Sequence, residues 1–206
     1  MRKHDTLTDL SGGQDPSTKE KLLDAGKDAF YEKGYLGASL RQICSACGVT
    51  TGAFYFFFPS KEALFCAIVD PVIDACIKTG DSLVTSEINA PETGRENDLQ
   101  MMEFEYRYRK EILILTEGAK GSCREHFRES ILEHLEKSFR RFFAASLGRE
   151  PNPDIIRILV QFRYESNISI LKGAKDMEQA LFLAEILACY ADSGFQSLME
   201  QYKDVL

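Results

Sequence analysis

Apolar residues return every three to four positions through most of this chain, and no period-two run is long enough to call for a sheet. Leu22, Leu23, Gly26, Ala29 and Phe30 form the first stripe, and such spacing sets one helix face against a core. Ser17 and Glu20 make a capping pair in front of it, and Gly34 supplies a stop. A second helix starts at Ser39 as N-cap, buries Leu40, Ile43, Cys44 and Cys47, and ends at Gly48. A third, short helix takes Thr50 as its cap and runs to about Phe57; Pro59 closes it, because proline disfavours helix in the residue before it. Ser60 caps a fourth, which carries Leu64, Phe65, Ile68, Val69, Val72, Ile73 and Cys76, with Pro71 expected to kink or break it. The turn-rich stretch TGDSLVTSEINAPETGREN reads as a loop. Beyond it the pattern predicts helices at about 97–108, 110–117, 122–147, 153–171 and 175–202. ILIL at 112–115 is strand-like but too short to decide by pattern. The expected class is all-α.

Three helices within about fifty residues, the last two joined by the tight turn ACGV, carry the helix-turn-helix signature. Gly48 takes the left-handed conformation that such a bend needs, and Val49 packs inward. The helix Thr50–Phe57 is then the one that enters a DNA major groove. It holds most of a run of five aromatics, Phe54 to Phe58, and helical geometry sorts them. Phe54 and Phe58 are four apart and share a face, which with Val49 and Ala53 or Phe57 turns to the core. Tyr55 lies about 100° away and points its hydroxyl toward a phosphate. Gly52 and Ala53 are small enough for close approach to the groove floor, while Thr50 and Thr51 offer hydroxyls to the backbone. Lys61 is a cation at a helix start, where the dipole disfavours it; an external phosphate explains it. Plainer readings stand beside these: Thr50 and Ser39 as caps only, Arg41 as a solvated charge, Tyr55 as a half-buried core ring. Phe56 is either packed or set against a thymine methyl.

Charge complicates the picture. The 206-residue chain has net charge −7, and residues 18–65 hold six basic groups against five acidic ones. Phosphate affinity must come from a few placed cations, backbone N–H groups, and Arg2 and Lys3 in the N-terminal tail, with every contact doubled by dimerisation. Residues 1–16 are polar and read as a flexible tail without a secretory h-region. No apolar run approaches the roughly 20 residues of a membrane-spanning helix, so no membrane partner is expected and the expected location is cytoplasmic. Six cysteines scattered through amphipathic patterns read as reduced, small hydrophobes. Cys44-x-x-Cys47 looks like half a zinc site, but no second Cys or His pair lies at workable spacing. No metal and no cofactor are expected. The chain also lacks a nucleophile–base pattern, a P-loop and a GxGxxG, so it is not read as an enzyme.

The stretch TKEKLLDAGKDAFYEKGYLGASLRQICSACGVTTGAFYFFFPSKEALF, Thr18 to Phe65, resembles the DNA-binding domain of the TetR family of transcriptional regulators (TetR/AcrR type). The marks are the Ala-Gly-x-x-x-Phe run of helix one, KGY, Ser39, Ile43, the Cys-Gly-Val turn, Gly52, FY, Phe58 and SKEAL. Carried over position by position, the resemblance implies DNA contact at Ser39, Arg41, Thr50, Thr51, Gly52, Ala53, Tyr55, Phe56 and Lys61. Cys44 and Cys47 depart from the small residues often found there, and Phe56 and Phe57 from a His, Tyr or other aromatic. These departures bear on base preference.

By the same resemblance, residues 17–65 form the DNA-binding domain and residues 66–206 a larger helical domain for ligand binding and dimerisation. Met101, Phe104, Tyr108, Glu117, His126, Phe127, Phe162 and Glu165 are candidates for lining a ligand pocket, although the glutamates read first as plain surface carboxylates. Leu159, Phe162, Ala184, Leu187, Ala188, Ala191 and Phe195 are candidates for a four-helix dimer interface, or for ordinary core. The expected function is that of a homodimeric repressor, released from a palindromic double-stranded operator by an unknown small molecule. The alternative is a dimeric small-molecule-binding or interaction protein on the same scaffold that does not bind DNA.

Overall fold

The computed structural model describes residues 16–205, with side chains from Thr18 onward. The expected contacts from Arg2 and Lys3, and the tail up to residue 15, lie outside the described residues. Nine α-helices and no strand occur among the residues described. They are α1 (Pro16–Gly37), α2 (Leu40–Ala46), α3 (Thr51–Phe57), α4 (Lys61–Asn89), α5 (Gly94–Arg107), α6 (Arg109–Leu113), α7 (Phe127–Leu147), α8 (Pro153–Gly173) and α9 (Met177–Gln201). A single 3-10 turn, Pro91–Thr93, precedes α5, and a π-helical turn, Ile114–Gly118, continues α6. ILIL is therefore helical throughout.

α1 already includes Pro16 and Ser17, so Ser17 is not its cap. The break falls at Gly34, as the sequence predicts: φ is 66° there, and one more turn follows. A side chain at Gly34 would also press on the Gly118 carbonyl, 3.3 Å from its Cβ position. The two glycines let α1 and the π turn meet backbone to backbone.

α4 departs most from expectation. It runs unbroken through Pro71, whose ring is exposed while Ile68, Val69 and Val72 around it are buried. Packing on the inner face holds the helix across the missing hydrogen bond. The helix also consumes residues 79–89, which read as loop. Thr85 Oγ1 donates to the Asp81 carbonyl at 2.7 Å. From α7, Arg141 donates to the Asp81 carbonyl and to Thr85 Oγ1, and His134 meets the Asp81 carboxylate at 3.1 Å. These partners lie more than fifty residues away, so local propensity cannot register them. Conversely, residues 122–126, assigned to a helix by pattern, form turns, and α7 begins only at Phe127.

Three apolar clusters hold the molecule together. The first joins Leu22, Phe30, Ile43, Phe54, Leu64 and Phe65 from α1–α4 to Ile114, Leu115 and Ala119. The N-terminal headpiece therefore shares its core with the π turn. The second cluster packs Val72, Met102, Leu113, Tyr164, Ile168, Leu171, Ala180 and Ala184, and the third packs Phe143, Ile156 and Val160 under Phe195.

Candidate nucleic-acid interface

The turn between α2 and α3 is closed by two backbone bonds, Gly48 N–H to the Ser45 carbonyl at 3.2 Å and Val49 N–H to the Cys44 carbonyl at 2.9 Å. This is a Schellman motif. It places Gly48 at φ 69°, where a Cβ is strained. Thr50 then caps α3, its Oγ1 accepting from Ala53 N–H at 3.1 Å. Ser60 caps α4 the same way, accepting from Ala63 N–H at 3.0 Å. Ser39 sits at the N-cap of α2 but makes no side-chain cap bond, so its hydroxyl is free of that duty.

Within α3 the aromatics divide as helical periodicity requires. Phe54 and Phe58 are buried, with ring centroids 5.7 Å apart, and Phe57 packs half-buried on the same core. Tyr55 is 55% exposed, its ring set edge-on to Phe54, and Phe56 is 80% exposed. Thr50, Thr51, Gly52, Ser39 and Arg41 are exposed too, and Ala53 is partly so. Eight of the nine expected contact residues are thus exposed or partly exposed on α3, at its cap and at the start of α2. A phenylalanine left in water at this exposure has no folding role, since burial is what gives a ring its stabilising effect.

Lys61 is the exception. Its ammonium donates to the Tyr35 carbonyl at 2.7 Å and the Ala38 carbonyl at 3.2 Å, and lies 4.3 Å above the Tyr35 ring. The awkward position at a helix start is thus explained from inside the protein. Tyr35, which sequence reasoning did not single out, is the hub: its ring also meets Phe65 edge-on at 5.1 Å and Phe30 at 5.9 Å. The KGY string was the available signal. Lys33, in the same string, donates to Gln42 at 3.1 Å and ties α1 to α2.

The candidate pocket residues of the body differ in their surroundings. Glu117 pairs with Lys172 at 2.7 Å and Glu165 with Arg128 at 2.6 Å, both at the surface. His126 is exposed and Phe127 packs into two core clusters. Met101, Phe104 and Tyr108 are partly buried on α5 and just beyond it, the latter two ring to ring at 4.9 Å. Interior polarity lies elsewhere. Glu105 accepts from Asn167 Nδ2 at 3.0 Å, and burial pushes its carboxyl up to about 7 against the pull of that bond. One turn from Asn167 on α8, the Tyr164 hydroxyl is buried with no hydrogen-bond partner among the described residues.

The candidate interface residues differ in how far the chain itself covers them. Ala184 and Ala188 are buried within the chain, where small side chains let α9 lie close along α5. Leu159, Leu187 and Ala191 are partly covered, and Phe195 packs on Phe142 and Phe143. Of the seven, Phe162 alone is exposed, with its ring 5.9 Å from Tyr190. The outward stripe on α8 and α9 consists of Ile158, Phe162, Phe182, Leu183, Ile186 and Tyr190, all exposed.

Residues 22–68 match the family described as bacterial regulatory proteins, tetR family. An uncharacterized HTH-type transcriptional regulator of Bacillus subtilis (strain 168), YuxN, is 35% identical over 127 residues, 57% of this chain and 44% of that relative. The chain therefore aligns with less than half the length of this curated relative. Among solved structures, a transcriptional regulator of the TerR/AcrR family from Aquifex aeolicus VF5 aligns with a TM-score of 0.59 at 27% identity, over 85% of this chain and 98% of that one. NalD, the secondary repressor of the MexAB-OprM multidrug efflux pump in Pseudomonas aeruginosa, shares the fold with a TM-score of 0.58 at 20% identity, over 82% and 92% of the two chains. The family match falls on the helices that carry the outward α3 surface, and the fold likeness extends over the body behind them. Residues 22–68 thus match the tetR family of bacterial regulatory proteins, and the chain as a whole shares the fold of a TerR/AcrR-family regulator.

Proposed function

We propose that this protein is a dimeric, DNA-binding transcriptional repressor whose headpiece, residues 17–65, reads an operator and whose body, residues 66–206, responds to a small molecule. The observation that carries the first half is the exposed face of α3. Tyr55 and Phe56 stand outward from a helix whose other rings, Phe54 and Phe57, pack on the core, beside Gly52 and Thr51, on a capped turn. Arg41 and Ser39 flank that face for phosphate contact. The near-neutral headpiece makes this a site that depends on shape and few cations, so two copies are needed. The exposed stripe of α8 and α9 offers the second copy an apolar, self-complementary seat.

Ligand response rests on the interior of the body. Glu105, Asn167 and the Tyr164 hydroxyl put polar groups into a region otherwise filled by Met102, Ile168 and Val72. A molecule with a hydrogen-bond donor or a cationic centre suits them. Its entry would part α4, α5 and α8, and α4 runs without interruption into the headpiece. The π turn would transmit the same movement through the Gly34–Gly118 contact, and α6 through the Lys27–Glu111 ion pair, 2.6 Å long. The movement is that of a whole rod, since α4 has no break at Pro71. Two recognition helices moved apart no longer fit adjacent major grooves.

The test is selection of binding sites from a random duplex pool by the full-length protein, with Gly52→Glu as the control. Enrichment of a palindrome with half-sites about one helical turn or a multiple apart, lost in the control, supports the reading. Equal recovery of all sequences by both proteins would favour a dimeric interaction protein on this scaffold.

A further inference from the structure

The only close approach of two thiols among the described residues lies at the joint between headpiece and body. Cys66 Sγ and Cys123 Sγ are 2.9 Å apart although 57 residues separate them. Cys66 follows Phe65, a headpiece core residue, in α4; Cys123 is exposed in the turn at 119–126. That turn is held firmly. Ser122 is buried, its hydroxyl donating to the Ala119 carbonyl at 2.6 Å and accepting from Arg124 N–H at 3.1 Å. Gly121 N–H donates to the Glu125 carboxylate at 3.0 Å. Arg124 Nε reaches back to the Asp70 carboxylate at 2.9 Å and ties the turn to α4 beside the thiols. The other four cysteines have no such neighbour: Cys44 is buried, Cys47 hydrogen-bonds to backbone carbonyls of its own helix, Cys76 is largely enclosed and Cys189 stands on the surface of α9.

We propose that Cys66 and Cys123 are a redox modification site, converted by a low-molecular-weight disulfide into an intrachain disulfide that clamps α4 to the 119–126 turn. Burial, the hydrogen bond to Cys123 and the charge of Asp70 push the Cys66 thiol up to about 12, so Cys66 stays protonated and exposed Cys123 is the first to react. The Cys123 thiol gives its proton to solvent, and the thiolate attacks one sulfur of the small disulfide. That S–S bond breaks, a mixed disulfide forms on Cys123, and a small thiolate leaves and takes up a proton. Cys66 then loses its proton, attacks the Cys123 sulfur, and expels the second small thiolate, which is protonated in turn. The protein loses two S–H hydrogens and two electrons; the small disulfide becomes two thiols. The new bond ties the first turns of α4 to the segment that follows the π turn, which packs on α1 through Gly118. It therefore fixes the headpiece to the body in the arrangement seen here.

The experiment exposes the reduced full-length chain to oxidised glutathione, alkylates remaining thiols, and maps the digest by mass spectrometry. The expected product is a peptide pair joined through Cys66 and Cys123, in a chain lighter than the reduced form by two hydrogens and carrying no glutathione. Cys66→Ser should stop at a glutathione adduct on Cys123. The oxidised wild type should unfold at a higher temperature than the reduced one, and Cys123→Ser should show no such rise. A lasting glutathione adduct on Cys123 in the wild type, both thiols recovered alkylated, or a dominant disulfide through Cys76 or Cys189 would overturn the proposal.

Discussion

Lys61 carries its charge at a helix start, where the dipole resists a cation, and the carbonyls of Tyr35 and Ala38 offset that cost. Charge-assisted bonds of this kind are worth about 2 kcal/mol. Lys61→Ala should therefore lower stability by about 2 kcal/mol in urea denaturation with no DNA present. An unchanged midpoint would mean that Lys61 does not brace the headpiece. Glu105 makes a second prediction at this scale. Its folded carboxyl titrates at about 7 against an ordinary 4.5, so folding favours the protonated form. That stabilisation is fully present below about pH 4.5 and is lost as pH rises through 7. Glu105→Gln keeps an acceptor for Asn167 and removes the charge. It should stabilise the protein by up to about 3 kcal/mol at pH 8 and hardly at pH 4.5, as measured by thermal unfolding at both. An equal effect at the two pH values would contradict the buried carboxyl. Lys61 and Glu105 also mark a limit of sequence reading. Their residue types were plain, but their partners stand 26 and 62 residues away, beyond any local pattern.

At the scale of elements, the α2–turn–α3 unit was legible because its signals are local. Gly48 supplies the left-handed bend, Thr50 the cap, and Pro59 the end. Gly48→Ala meets no atom within 4 Å, so its cost is backbone strain alone, about 1 kcal/mol. The expected signature is that modest loss in stability with a larger loss in DNA affinity, because the crossing angle of α2 and α3 shifts. A fall in stability with unaltered affinity would show that the angle does not matter. What was not legible is which neighbour a stripe faces. The alanines of α9 were visible as one helix face, but only the fold shows that α5 occupies it. The stretch 79–89 looked like loop because its helix is held by Arg141 and His134 from α7. Pocket walls are hard to read for the same reason, since aromatic and methionine content names no common wall.

The whole molecule is a headpiece and a body joined by α4, the π turn and a few ion pairs, with an uncovered apolar stripe on α8 and α9. Ile186→Arg, at an exposed site, should leave the fold intact and yield monomers in sedimentation velocity; a dimer that persists would move the interface elsewhere. The clamp between Cys66 and Cys123 closes a loop long enough to stabilise by about 4 kcal/mol in the chain-entropy model. The core, the apolar stripe of α8 and α9 and the outward face of α3 are separate surfaces, and that separation allows a decisive measurement. Tyr55→Ala/Phe56→Ala removes two exposed rings from α3 and, from the core, only the edge-on contact of Tyr55 with Phe54. Titrated by fluorescence anisotropy against a pool-selected duplex, the double variant is predicted to lose at least about tenfold in affinity, roughly 1.4 kcal/mol, with its fold and oligomeric mass unchanged and only a small fall in melting temperature. Affinity equal to that of the wild type would contradict the claim that the outward face of α3 reads DNA.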